Sequence, residues 1–107
     1  MNIGYSKIKD IKLIFDWDSQ KARTTIRKHK ISFDEAKTIF LDPYLVTYPD
    51  KFHSDYEKRY ISIGYSAQNR VLIAVHTEYE KTKNTTIIRI INSRKATPDE
   101  RKNYEGN

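Results

Sequence analysis

The sequence predicts an α+β fold: an antiparallel sheet of four to five strands with two N-terminal helices and one C-terminal helix. Three observations lead to this prediction. Apolar segments separated by short polar turns follow one another between residues 58 and 92, as in an antiparallel meander. Two helical patterns with N-capping residues precede these segments, and a third follows them. The length of 107 residues suits one domain with one modest core.

The first strand is predicted by an alternation of apolar residues after a lead-in segment. Residues 1–10 are expected to be a loose lead-in, and residues 11–104 the core of a single domain that spans 1–107. The strand is indicated by apolar side chains at every second position, namely Ile11, Leu13 and Phe15.

Two helices are predicted between residues 19 and 42. The first covers residues 19–29, and its apolar face has residues at helical spacing, namely Ala22, Ile26 and His29. The second begins at Ser32, because Ser32 and Glu35 have the spacing of a capping box. It ends before Pro43, since the residue that precedes a proline avoids helical geometry.

The second half is predicted to contain four strands and the closing helix. The expected strands are residues 44–48, 58–65, 70–78 and 85–92, with a polar loop at 49–56. The helix runs from Pro98 to about Tyr104, because Thr97 is a good N-cap, proline suits the first helical position and Glu100 completes a capping box.

The charge distribution favours a polyanionic partner. The net charge is +6, and it divides into +5 for residues 1–30, −3 for residues 31–56 and +4 for residues 57–107. If the fold brings the two basic segments together, they form a surface that attracts phosphates. A well-solvated basic surface is the alternative.

Composition also excludes several classes of site. With no cysteine, the chain has no disulfide, thiol nucleophile or cysteine-bound metal. The three histidines lack ligand-like spacing and no glycine-rich phosphate loop occurs, so we expect neither a metal nor a cofactor. No apolar run is long enough for a membrane span and no signal peptide is evident, so a cytoplasmic protein without membrane contact is expected.

Basic residues near the last strand are the first candidates for chemistry. Arg89 interrupts an apolar strand face, so it either forms an ion pair, for example with Glu78, or faces a phosphate. Arg94 and Lys95 precede a capped helix start, where they form either a phosphate cradle or a solvated basic turn. Arg59 and Lys28 are further candidate cations for RNA binding.

Three other residues are candidates for proton transfer. His76 and Glu78 share one strand face, and a histidine beside a carboxylate can act as a general base or acid; a structural hydrogen bond is the alternative for His76. Tyr104 ends the last helix, where it can fold back over the sheet. Among the eight tyrosines, Tyr60 is a candidate for stacking on an unpaired base, although tyrosines also pack cores.

Several stretches together resemble the BrnT family. In chain order they are FDWDSQKARTTIRKHKISFDEA (15–36), the Asp42-Pro43 step, KRYISIGYS (58–66), VLIAVHTE (71–78) and IRIINSRKATPDERKNY (88–104). The family consists of toxins of type II toxin–antitoxin modules. The resemblance implies a RelE-like fold, RNA cleavage that inhibits translation, and neutralisation by a cognate BrnA-type antitoxin. It also implies that the toxin–antitoxin complex binds its operator DNA.

The chain departs from the family at two positions, with Thr25 where Asn is frequent and Lys30 where Gly is frequent. Glycine would suit a left-handed helix end, and a lysine in that conformation costs about 1 kcal/mol.

From these residues we expect a metal-independent endoribonuclease in which the ribose 2′-hydroxyl attacks the adjacent phosphate. Arg89 and Arg94 would stabilise charge, Lys95 would position the RNA, and His76, Glu78 or Tyr104 would handle protons. The alternative is a non-catalytic basic module that binds nucleic acid or another partner without cutting it.

Overall fold

The computed structural model describes residues 2–5, 11–52 and 57–106. Residues 1 and 6–10 of the predicted lead-in lie outside the described residues, as do residues 53–56 of the predicted polar loop. Residues Asn2–Tyr5 form a strand, so this part of the expected loose lead-in has regular structure instead.

The elements follow one another as β1 (Asn2–Tyr5), β2 (Lys12–Trp17), α1 (Ser19–His29), α2 (Phe33–Ala36), β3 (Val46–Pro49), β4 (Tyr60–Tyr65), β5 (Val71–Thr82), β6 (Thr85–Lys95) and α3 (Pro98–Glu105). A 3₁₀ helix, Lys37–Leu41, continues α2. Strands β5 and β6 are longer than predicted and form a hairpin around Lys83 and Asn84.

The sheet is mixed, which corrects the prediction of an antiparallel sheet with four to five strands. The described strands form one six-stranded sheet in the order β1-β2-β6-β5-β4-β3. Strand β2 pairs with β6 in parallel, and the other neighbours are antiparallel. A parallel pair of strands needs a long connection, and the connection between β2 and β6 spans most of the chain. The alternation of apolar residues within each strand therefore does not reveal that the two strands pair.

The helices lie on both faces of the sheet, and α1 and α2 follow the strands β1 and β2 rather than preceding the sheet. On the helix-covered face, α1, α2 and the 3₁₀ helix enclose the main core, formed by Leu13, Phe15, Ile31, Phe33, Ala36, Ile39, Phe40, Leu72, Ala74, Ile88 and Ile90. On the opposite face, called the second face below, a smaller cluster of Ile63, Val71 and Ile73 packs against Tyr104 of α3.

Helix α1 has the predicted bounds, but its buried side contains Thr25 instead of Ile26. Asp18 caps it by accepting a hydrogen bond from the Gln20 N–H. Thr25 is buried and its hydroxyl donates to the Lys21 carbonyl, whereas Ile26 is 46% exposed. The predicted apolar face is therefore wrong for Ile26, whereas Ala22 does pack against the core. Lys30 ends the helix at φ 58°, in the left-handed conformation that favours glycine.

Two capping signals have different outcomes. At α3 the capping box forms completely between Thr97 and Glu100. At α2, Ser32 accepts from the Glu35 N–H, but the Glu35 carboxylate instead receives hydrogen bonds from Arg70 and Ser66. The buried Glu35 thereby joins α2 to the β4–β5 turn. Across the described part of the chain, no helix combines the length and apolar character needed to cross a membrane.

Candidate nucleic-acid interface

Arg94 is held at the start of α3. It lies opposite Ile73 in the β5–β6 register, which places it on the second face. Its guanidinium donates two hydrogen bonds to the Glu100 carboxylate, at 2.7 and 3.0 Å. Glu100 also accepts from the Thr97 N–H at 2.8 Å, so the capping box fixes the orientation of the arginine. The side chain of Arg94 remains 41% exposed.

Glu100 therefore occupies the anion position that the sequence assigned to a phosphate. The hydrogen bonds from Arg94 lower the pKa of Glu100 to about 2, although burial opposes the shift. The carboxylate is charged at neutral pH and offsets the charge of Arg94. A phosphate at this helix start must share Arg94 with Glu100 through the remaining guanidinium hydrogens.

Tyr104 reaches back from α3 to the end of the 3₁₀ helix. Its hydroxyl donates a hydrogen bond to Asp42 Oδ2. Burial and this hydrogen bond raise the pKa of Tyr104 far above its usual value. The phenol is therefore protonated at neutral pH, and its oxygen retains a lone pair that can accept a hydrogen bond.

Asp42 connects three parts of the fold. Besides Tyr104, it accepts from the Tyr65 N–H at 2.7 Å and from the Tyr44 N–H at 2.9 Å. Burial alone would raise the pKa of Asp42, but these hydrogen bonds lower it overall. The sequence indicated Asp42 only as a helix end, because its partners are up to 62 positions away.

A cleft with tyrosine walls adjoins Tyr104 on the second face. Its volume is about 530 Å³, and it is lined by Tyr44, Val46, Tyr65, Tyr104 and Glu105. The rings of Tyr65 and Tyr104 meet edge to face at 5.7 Å. Tyr44, which precedes the edge strand β3, is 79% exposed, and Val46 at the start of that strand is 44% exposed. Such walls suit stacking of an unpaired base.

Arg89 lies on the second face but apart from Arg94. It donates a hydrogen bond to Asp16 Oδ2 at 2.6 Å, across the parallel β2–β6 pair, so its partner is Asp16 rather than Glu78. Five residues of strand separate the two arginines, which corresponds to about 16 Å. They can contact different positions of one RNA strand.

His76 is buried on the helix-covered face. Its Nε2 lies 2.7 Å from the Ser62 hydroxyl, and its ring meets Phe40 edge to face at 5.0 Å. Burial lowers the pKa of His76 to about 4. Nδ1 is 3.8 Å from Glu78 Oε1, beyond hydrogen-bond distance.

The order Ser62–His76–Glu78 is the order of groups that activates a serine nucleophile. However, Ser62 and His76 have no exposed surface, and the Ser62 hydroxyl also bonds Thr47. Sequence patterns do not reveal this contact, because Ser62 and His76 lie on different strands, 14 positions apart in the chain. The arrangement fits a structural hydrogen-bond chain within the core.

The other predicted site residues on the sheet lie mostly on the helix-covered face. Glu78 pairs opposite Ile88, and burial raises its pKa. Tyr60 stacks on His76 with ring centroids 6.0 Å apart. Lys95 lies opposite the core residue Leu72 and contributes to lowering the pKa of Glu35, after larger effects of Arg70 and Ser66. These residues do not join Arg94 and Tyr104.

The remaining two predicted cations lie elsewhere. Arg59 precedes β4, is half-buried and lies 3.9 Å from Glu57. Lys28 lies on α1 and lines a groove between that helix and β6. Within residues 2–5, 11–52 and 57–106, no group of three or more His, Cys, Asp or Glu side chains has the arrangement of a metal site.

Comparisons with known proteins place the chain in a family. The sequence profile of the family described as "Ribonuclease toxin, BrnT, of type II toxin-antitoxin system" matches residues 17–100. The structure is similar to the crystal structure of the Brucella abortus ribonuclease toxin BrnT, with a TM-score of 0.56 and 21% sequence identity. The similarity covers 79% of this chain and 96% of that one. No curated protein matches the sequence.

Proposed function

Since the chain belongs to the BrnT family of ribonuclease toxins of type II toxin–antitoxin systems, we propose that it cleaves RNA on the second face of its sheet. The observation that carries this proposal is the anchoring of Arg94 and Tyr104 on that face, by Glu100 and Asp42 respectively. Both groups are half-exposed and fixed by charged hydrogen-bond partners, which is the preorganisation that catalysis requires.

In the proposed reaction the ribose 2′-hydroxyl attacks the adjacent phosphorus in line, and the bond to the 5′-oxygen of the next nucleotide breaks. The 2′-hydroxyl proton passes to the Tyr104 oxygen while the Tyr104 proton passes to Asp42, and the departing 5′-oxygen takes up a proton from water. Arg94 faces the phosphate and stabilises the charge that accumulates on its oxygens. The Tyr104 oxygen, whose proton is directed to Asp42, accepts a hydrogen bond from the 2′-hydroxyl and orients it.

The proposal changes the expected roles of three predicted catalytic residues, Arg89, His76 and Glu78. Arg89 contacts a phosphate away from the cleavage site, because about 16 Å of strand separates it from Arg94. His76 supports the core rather than touching RNA, because it has no exposed surface. Glu78 lies on the other face from Tyr104, so it does not take part in the same proton transfer.

The products test this chemistry. Attack by the 2′-hydroxyl without a metal leaves one fragment with a 2′,3′-cyclic phosphate and the other with a 5′-hydroxyl, also in the presence of EDTA. Mass spectrometry of the fragments identifies these ends. Fragments with a 5′-phosphate would contradict the proposed mechanism. The protein would then still be a ribonuclease, but one that cleaves RNA by a different chemistry.

The alternative is binding of RNA without cleavage. One observation favours it, since both Arg89 and Arg94 already pair with carboxylates and each has only part of its charge available to a phosphate. Under this alternative, RNA incubated with a large excess of protein stays intact while its mobility in a native gel changes.

The family also implies an antitoxin partner and an RNA substrate. We propose in addition that the complex with a BrnA-type antitoxin binds its operator DNA, that the protein acts in the cytoplasm, and that residues 11–104 form its single ribonuclease core. Repression of a reporter by toxin and antitoxin together, but by neither alone, tests the operator proposal.

A further inference from the structure

A polar groove lies between α1 and the last part of β6, outside the site described above. Strand β2 pairs with β6 only as far as Trp17 and Ile90, after which the chain turns into α1 while β6 continues to Lys95. The space that β2 leaves is a groove of about 360 Å³ with Asn92 on one side and α1 on the other.

Two lysine side chains give this groove its charge. Lys21, Lys28 and His29 line it, and the two lysines are two helical turns apart, about 10 Å along the axis of α1. Among the residues that the structure describes, neither lysine forms an ion pair within 4.0 Å. The one carboxylate at the groove, Asp18, is already engaged in capping α1. The groove therefore has a net positive charge.

Neutral donors complete the lining. Thr24 contributes a hydroxyl, and Asn92 contributes an amide whose oxygen accepts from the Ser93 N–H at 2.9 Å. That hydrogen bond leaves the NH₂ group of Asn92 available as a donor. Lysines with hydroxyl and amide donors, and no Phe, Tyr or Trp ring in the lining, suit the sugar–phosphate backbone rather than the bases.

We propose that this groove binds the backbone of the single-stranded RNA substrate next to the cleavage site. Asn92 lies opposite Val75 and so shares the second face with Arg94, about 7 Å away along β6. Because β2 pairs with β6 only as far as Ile90, a nucleotide strand at Arg94 can cross the open edge of β6 into the groove. The proposal rests on the proposed function, because it takes RNA as the ligand. It adds Lys21, Thr24 and Asn92 to the predicted contact Lys28 as one binding site.

Salt dependence of binding tests this proposal. The probe is a fluorescent 2′-O-methyl oligoribonucleotide, which lacks the attacking hydroxyl and stays intact. Its affinity is measured by anisotropy between 50 and 200 mM NaCl for the wild type and for Lys21→Gln/Lys28→Gln. Each phosphate contact to a single strand contributes about 0.7 to the slope of log K against log[salt], so the double variant is expected to lower that slope by about 1.4.

The matched control is Lys81→Gln/Lys83→Gln at the β5–β6 hairpin, about 24 Å from Asn92 along β6. It removes the same charge from exposed positions, and glutamine preserves helix propensity at α1 in the test variant. The proposal predicts a much smaller change of slope for the control. Equal changes in both variants would overturn it and assign the effect to net charge.

Cleavage of unmodified RNA distinguishes a failure of the groove proposal from a failure of the proposed function. If the wild type cuts RNA but Lys21→Gln/Lys28→Gln keeps the wild-type slope, the groove proposal fails and the proposed function stands. If the wild type neither binds the probe nor cuts RNA, both fail. If the slope is kept while purified antitoxin binds the variant more weakly, the groove belongs to the antitoxin interface, which also overturns the proposal.

Discussion

The hydroxyl of Tyr104 donates a hydrogen bond to the carboxylate of Asp42, which lies 62 positions earlier in the chain. The Asp42 carboxylate also accepts hydrogen bonds from the backbone N–H groups of Tyr65 and Tyr44. The position of the tyrosine over the second face thus depends on a carboxylate at the end of the 3₁₀ helix. This contact joins the last helix to the first half of the fold.

Replacing Tyr104 by phenylalanine is expected to affect cleavage more than stability. The variant loses one hydrogen bond, worth about 1 kcal/mol of unfolding free energy, while a lost contact to the reacting hydroxyl lowers the cleavage rate by about 10²-fold or more. Urea unfolding and single-turnover cleavage measure the two effects. The control is Tyr79→Phe, an exposed tyrosine on β5. Equal cleavage by both variants would remove Tyr104 from the reaction.

The ion pair of Arg94 and Glu100 predicts a pH dependence of stability. Because the folded protein lowers the pKa of Glu100 to about 2, the pair stabilises the fold above the usual carboxylate pKa of about 4.5 and loses this effect as the pH falls towards 2. The pair is partly exposed, so its contribution is at most about 1 kcal/mol. The difference in unfolding free energy between the wild type and Glu100→Gln should therefore shrink from pH 5 to pH 2. A constant difference would contradict this explanation.

His76 predicts a second effect in a different pH range. The unfolded histidine binds a proton near pH 6.5, but the buried side chain does so only near pH 4, so the wild type loses stability as the pH falls from about 6.5 to about 4. The expected loss is on the order of 3 kcal/mol. His76→Gln should lack this dependence and, if His76 is structural, still cut RNA. A cleavage rate that falls 10²-fold in a folded His76→Gln protein would restore the catalytic role.

Lys30→Gly is expected to stabilise the protein. Lys30 has φ 58°, a conformation that costs a lysine about 1 kcal/mol more than a glycine. For a domain of this size, 1 kcal/mol corresponds to a rise in Tm of about 4–8 °C. Differential scanning calorimetry measures it, with Lys28→Gly inside α1 as the opposite control, which should lower Tm. A lower Tm for Lys30→Gly would show that the lysine side chain makes a compensating contact.

Local signals in the sequence predicted local structure well. The N-caps at Ser32 and Thr97 act as predicted, because a cap depends on residues at most three positions away. The left-handed end at Lys30 follows from the same short-range geometry. By contrast, the paired strands β2 and β6 are far apart in the sequence, and the alternation of apolar residues is the same in a parallel pair as in an antiparallel one.

The candidate site follows from the sequence only in part, for the same reason. Residue types made Arg94 and Tyr104 candidates, but Glu100 and Asp42, to which they bond, were predicted only as part of a helix cap and as a helix end. The alternation of β5 does place His76 and Glu78 on one face, as predicted. The alternation does not show that α1, α2 and the 3₁₀ helix cover this face, and this cover buries His76.

The rate of RNA cleavage by the Arg89→Ala/Arg94→Ala variant in EDTA tests the central claim most directly. The measurement compares purified wild type and variant on one labelled RNA, after circular dichroism has shown that both are folded. We expect the wild type to cut the RNA and the variant to cut it about 10²-fold more slowly or not at all, since the charge on the phosphate is no longer stabilised. Cleavage by the variant at the native rate, or intact RNA with the wild type, would contradict it.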